Sequence, residues 1–118
     1  MFTEQLKKVV DNVAGGVAGV IMGLDGIAVE TYVRDGHTAD INTIGMEFSF
    51  ILTQVKKAAE ILEVGHIKEI AIKAEQLTLV IRMLSDDYFI AVGIGPTGNF
   101  GKCRFMMRLV STRLAEEL

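Results

Sequence analysis

"VAGVIMGLDGIAVETYV", residues 17–33, decides the fold. Two β-prone runs flank Leu24-Asp25-Gly26. Asp and Gly both tolerate positive φ, so the pair marks a tight hairpin between antiparallel strands. Three more strands are predicted downstream: "HIKEIAIKA" (66–74), "LTLVIRML" (77–84) and "YFIAVGIG" (88–95), joined by the turn stretches "EQ" and "SDD". In the middle run, Leu77, Leu79, Ile81 and Met83 share one face. Val80 and Leu84 lie on the other, beside Thr78 and Arg82. A strand apolar on much of both faces predicts a sheet covered on both sides.

Helical spacing supplies the cover. Phe2, Leu6, Val9, Val10 and Val13 fall on one face of a helix over 3–14, with Thr3 as its expected N-cap and Gly15-Gly16 as its stop. The longest helix is predicted over 40–64. Its expected core stripe is Ile41, Ile44, Phe48, Ile51, Leu52, Val55, Ala59 and Leu62, with Gly65 as C-cap. A last helix runs from about Asn99 to Leu114, with Phe105, Met106, Leu109 and Leu114 expected inward. The order α-β-β-α-β-β-β-α predicts an α+β fold. One five-stranded antiparallel sheet carries helices on both faces, in a single domain over 1–118.

Composition removes several function classes. Half of the 118 residues are apolar and 23% are charged, which argues against disorder. A net charge of −3 disfavours nucleic acid, whose phosphates need a basic face. The longest apolar stretch, residues 13–24, is shorter than the roughly 20 residues of a membrane span, so no direct membrane insertion is expected. Cys103 is the only cysteine and cannot form an internal disulfide. With no basic-then-apolar leader, a reducing, cytoplasmic location is expected.

"GIGPTGNFGKC", residues 93–103, imitates a phosphate cradle. The Walker rule wants Gly five residues before the Gly-Lys pair and a hydroxyl after it. This chain has Pro96 and Cys103 at those places, and one remaining helix cannot supply a parallel βαβ unit. The loop instead reads as a turn at Gly95–Gly98, with Asn99 as helix cap and Gly101 easing the helix onto the sheet. An anion held at Lys102 and Arg104 is the weaker reading. Cys103 sits in a first helical turn between two cations, which would activate a thiol; a buried, inert cysteine is the commoner case. His37 and His66 lack metal-ligand spacing, and Asp86-Asp87 is turn chemistry. No cofactor, metal or catalytic constellation is expected.

Surfaces remain. Stepping about 100° per residue along the long helix, Met46, Phe50, Gln54, Lys57 and Ile61 fall behind the core stripe and form a candidate partner surface. The strand at 66–73 opens the three-stranded meander and lacks proline. Ile67, Lys68, Glu69, Ile70 and Ile72 would there form an edge able to pair with its own copy.

Leu24-Asp25-Gly26 in the hairpin, the lone glycine before "HIKEIAIKAEQLTLVIRML", and Asn99-Phe100-Gly101 before the last helix resemble the Roadblock family of dynein light chains and bacterial small-GTPase regulators. That resemblance implies a longin- and profilin-like domain. It implies a homodimer joined through the third strands, with the two long helices side by side on one face. It also implies a Ras-like small GTPase as partner, regulated without a donated catalytic arginine. The alternative it implies is a scaffold or motor light-chain adaptor that leaves hydrolysis unaltered. A thiol enzyme built on Cys103 is the third class.

Overall fold

The computed structural model describes residues 1–118. Its elements are α1 (Phe2–Asp11), β1 (Gly16–Gly23), β2 (Ala28–Val33), α2 (Ile41–Leu62), β3 (Glu69–Lys73), β4 (Thr78–Met83), β5 (Tyr88–Ile94) and α3 (Phe100–Glu117). The strands form one antiparallel sheet in the order β2-β1-β5-β4-β3. The hairpin closes as its chemistry dictates. Gly26 takes φ +83°, and the Asp25 Oδ1 accepts the Ile27 amide at 3.0 Å. β1 and β5 are central, and β2 and β3 are the two edges.

Strand alternation splits the core into two layers. On one face, Ile21, Val80, Ile90 and Val92 pack under Leu6, Val9 and Val10 of α1 and Met107, Val110 and Leu114 of α3. On the other, Val20, Met22, Leu79, Ile81 and Phe89 pack under Ile41 and Leu52 of α2. The two-sided sheet read from "LTLVIRML" is therefore present. Arg34, the residue after β2, ties the first layer down. Its guanidinium donates to the carbonyls of Val13 at 3.2 Å and Gly16 at 3.3 Å, and more distantly to that of Asp11 at 3.4 Å. It thus gathers carbonyls along the junction where α1 runs into β1.

The glycine loop is a structural junction. The Gly95 amide donates to Gly15 O at 2.8 Å, and the Asn99 amide to Ala14 O at 2.9 Å. The Asn99 Oδ1 accepts the Lys102 amide at 3.0 Å and caps α3. Gly15 has φ +83°, and a Cβ there would stand 2.6 Å from the Gly98 Cα, so both the angle and the space demand glycine. Gly101 does not play the part expected of it. A Cβ there would meet nothing closer than the Asn99 Oδ1 at 3.9 Å.

Other local expectations move. Thr3 is not a cap: α1 starts at Phe2, and the Thr3 hydroxyl donates to Glu30 at 2.8 Å. α2 ends at Glu63, which takes the left-handed conformation (φ +56°), and Gly65 (φ +89°) only follows it. β3 is shorter than the predicted 66–74, leaving Ile67 and Lys68 in its lead-in. In α3 the buried set is Cys103, Met106, Met107, Val110 and Leu114, whereas Phe105 and Leu109 face outward.

The largest correction concerns α2. Its buried line is Ile41, Gly45, Ser49, Leu52 and Ala59, while Ile51 and Leu62 of the expected stripe are exposed. The helix is rotated by roughly 50° from a stripe centred on Phe48. The reason is size. A Cβ on Gly45 would already lie 3.1 Å from the Met22 Cε and 3.1 Å from the Val20 Cγ1, so the glycine lets α2 settle onto β1. The Ser49 hydroxyl is answered within its own helix by the Met46 carbonyl at 2.6 Å, so it can be buried without loss. Gly45→Leu should therefore lift the helix and lower unfolding free energy by about 1–3 kcal/mol, measured by urea denaturation, with secondary structure retained by circular dichroism.

Candidate protein-interaction site

Asp40 starts α2, accepting the Thr43 amide at 3.1 Å and the Thr43 hydroxyl at 2.7 Å. These bonds hold its carboxyl below the usual range. At its other half, the Lys56 ammonium donates to the Asp86 carbonyl at 2.9 Å, pinning the helix to the β4–β5 turn. Between these anchors the outer face of α2 carries apolar side chains in water. Phe50 is 66% exposed and Ile61 82%, with Gln54 and Lys57 exposed along the same line. Phe50 to Ile61 spans about 16 Å of helix. Met46 is only 38% exposed, because it lies against the hairpin turn at Gly26. The five residues chosen from periodicity thus do share one face, and Met46 forms its covered end.

The rotation of α2 creates a second apolar surface that the periodicity argument missed. α2 lies mainly over β1 and β2. Its flank away from the hairpin carries Ile44, Phe48 and Val55 half-buried and Ile51 exposed. Ile44 and Phe48 pack against the same cluster as Ile70 of β3 and Met83 of β4. The signal available in the sequence was the small pair Gly45 and Ser49 between Ile41 and Leu52, which marks the line of closest packing.

β3 stands at the sheet edge, where the sequence placed it, paired only to β4. Ile70 and Ile72 point to the α2 face and are half-buried. Glu69 points to the α3 face, where Arg82 at 3.5 Å and Arg104 at 2.7 Å hold it. Ile67 and Lys68 sit outside the strand, although the Lys68 carbonyl still accepts the Met83 amide at 3.0 Å.

Chemistry is sparse elsewhere. A cleft of about 360 Å³ between the end of α2 and the β4–β5 turn is lined by Lys56, Glu60, His66, Met83 and Asp86 among others. Its one close side-chain ion pair, His66 with Asp86 at 3.4 Å, is exposed. No three His, Cys, Asp or Glu side chains converge. Cys103 follows the commoner of its two sequence readings, the buried and inert thiol. It is fully buried, and burial, helped by the charge of Glu69, pushes its pKa up to about 12. Desolvation dominates, because the Arg104 guanidinium is engaged by Glu69 and Lys102 is exposed to water. Of the arginines, Arg34 is engaged with backbone carbonyls, and Arg82 and Arg104 with Glu69. Arg108 and Arg113 are exposed on α3, across the sheet from α2. No helix is long and apolar enough to cross a membrane.

This architecture, one antiparallel sheet with α1 and α3 on one face and α2 on the other, is that of roadblock domains, and kinship follows from sequence. MglC from Myxococcus xanthus is 36% identical over 99% of this chain and 98% of that one, with a TM-score of 0.72. The chain belongs to the Roadblock/LC7 family. Two more distant structures share the fold. MglB, in a tetrameric arrangement, is 13% identical over 97% of this chain and 85% of that one, with a TM-score of 0.86. A Roadblock/LC7 domain from Streptomyces avermitilis is 12% identical over 97% of this chain and 94% of that one, with a TM-score of 0.84. No family model and no curated protein sequence matches the chain. The relative nearest in sequence among these overlays less well than the distant two. Identity along the whole chain decides kinship, since an overlay responds to small shifts of whole helices.

The buried thiol supplies a check on the chemistry of the site. Cys103 should resist Ellman's reagent at about pH 8 in the folded protein and react promptly once urea unfolds it. Because its folded pKa is raised, its contribution to stability is complete below the ordinary thiol pKa of 9.0. It should fall away as pH climbs from there toward about 12, seen as a falling urea midpoint.

Proposed function

We propose that this chain is a non-catalytic homodimeric regulator of a Ras-like small GTPase, working in the cytoplasm. The observation that carries the reading is the unfinished apolar band formed by the edge strand β3 and the neighbouring flank of α2. β3 presents an unpaired row of backbone donors and acceptors, and a second copy running antiparallel satisfies them. A five-residue strand pair alone is small against the roughly 1,200–2,000 Å² that a stable interface buries. The α2 flank must join it, so Ile44, Phe48, Ile51 and Ile72 meet their counterparts across a two-fold axis. Kinship with MglC and the fold shared with MglB, seen in a tetrameric arrangement, support self-association.

Dimerisation of this kind leaves Phe50, Gln54, Lys57 and Ile61 facing outward, with Met46 at one end. These residues are the proposed GTPase contact. Three of the five arginines are already engaged, and the two free ones lie on the opposite layer. The regulator therefore acts by holding the partner's switch segments in one arrangement, a population shift without a donated arginine. The same lack of a cation finger favours a second reading, an adaptor that binds the GTPase and leaves hydrolysis unchanged.

Light scattering should find a dimer, and Ile70→Asp with Ile72→Asp should give a monomer. Met46→Asp with Phe50→Asp should stay dimeric but bind the GTP-loaded GTPase at least tenfold more weakly. A monomeric wild type would end the edge-pairing model, and undiminished binding by the second variant would move the contact elsewhere. Faster phosphate release on adding the protein supports the regulator. Binding at an unchanged rate supports the adaptor.

A further inference from the structure

The outer face of α3 is unlike the rest of this acidic chain. From Phe100 to Ala115 the helix carries Lys102, Arg104, Arg108 and Arg113 and no acidic residue, although the whole chain has a net charge of −3. Phe105 and Leu109, i and i+4 neighbours on that face, are 50% and 55% exposed. Arg104 and Arg108 flank this pair on the side toward β3, and Lys102 and Arg113 flank it on the other. Only Arg104 has a carboxylate partner, Glu69 at 2.7 Å; no acidic group lies within ion-pair distance of Lys102, Arg108 or Arg113. The inward side chains of α3 fill the core under β4 and β5, so the helix keeps its place without the outer pair.

We propose that the outer face of α3 between Lys102 and Arg113 is a docking surface for an acidic amphipathic helix of a partner protein. The charge pattern selects the sign of the occupant. Three unpaired cations around a dry centre gain most from carboxylates arranged around an apolar stripe. The spacing selects its form, because an i, i+4 apolar pair on a helix ridge meets matching pairs on a helix laid alongside it. Residue types point the same way. Three of the four cations are arginines, whose planar forks grip carboxylates in pairs, and Phe and Arg are enriched at protein interfaces. An anionic membrane is the poorer occupant. A whole myristoyl chain anchors only marginally, and two half-exposed side chains on a chain of net negative charge offer less. The surface lies across the sheet from α2, so one protomer can hold this helix and the α2 partner at once.

Fluorescence anisotropy with a labelled synthetic helix tests it: paired leucines at i, i+4 spacing flanked by glutamates, with a lysine-flanked twin as control. The glutamate peptide should bind, weakening at least tenfold from low to high salt, and the lysine peptide should not. Phe105→Asp with Leu109→Asp should abolish binding. Arg108→Glu with Arg113→Glu, which touches no core contact, should weaken it at least tenfold. Met46→Asp with Phe50→Asp should leave it unchanged, which separates this surface from the one proposed on α2. Equal binding of both peptides, binding of neither, or indifference to the α3 substitutions overturns the proposal. So does recruitment to phosphatidylglycerol-containing vesicles by a protein that ignores the glutamate peptide.

Discussion

The seating of α2 on β1 through Gly45 governs how the rest of the molecule presents itself. With no side chain at 45 and a self-satisfied hydroxyl at 49, the helix comes down until Ile41 and Leu52 touch Val20 and Met22. A larger residue would hold the helix higher and turn Phe48 inward as the centre of the contact. The close approach instead rotates the apolar stripe off the core, so that Ile44, Ile51 and Val55 form a flank that one chain cannot cover. Packing density inside is gained by leaving hydrophobic surface outside, and that surface faces the strand whose backbone is also unpaired.

The two faces of the sheet consequently have different characters. Under α1 and α3 the core is sealed by Leu6, Val9, Val10, Met107 and Leu114, and its thiol is too dry to ionise at neutral pH. Under α2 the cluster is smaller and ringed by half-buried residues. An interaction domain fits this asymmetry. One layer is sealed within the chain, and the other is the one that the proposed assembly would cover. The sparse polar chemistry is structural as well: Arg34 binds the end of α1, Glu69 joins two arginines at the edge, and Asn99 starts α3.

Much of the fold was legible. Asp25-Gly26 and the period-two runs located every strand because turn chemistry and alternation are local. Hairpin partners followed from short turns, which force neighbours to pair, whereas the β1–β5 pairing that joins hairpin to meander did not. Helix faces were less legible. Both α2 and α3 carry apolar residues over more than half their circumference, and a 3.6-residue period cannot say which apolar line is inside. Phe105 and Leu109 were assigned inward on hydrophobicity, yet Cys103, Met107 and Val110 took those places. The candidate partner line on α2 was legible because Phe50 and Ile61 lie opposite any choice of core stripe. The flank beside β3 was not, because its exposure depends on how far the helix descends.

The sequence by itself determined which residues form strands, where the chain turns and which strand ends at an edge. Each depends on neighbours in the chain: backbone angles allowed at Asp-Gly, alternation along a strand, and the reach of a two-residue turn. Only the tertiary structure decided the rotation of α2, the outward turn of Phe105 and Leu109, and the silence of the Cys103 thiol. Those depend on the distance between surfaces remote in sequence, and a glycine's missing methyl or a carboxylate across a strand sets that distance and field.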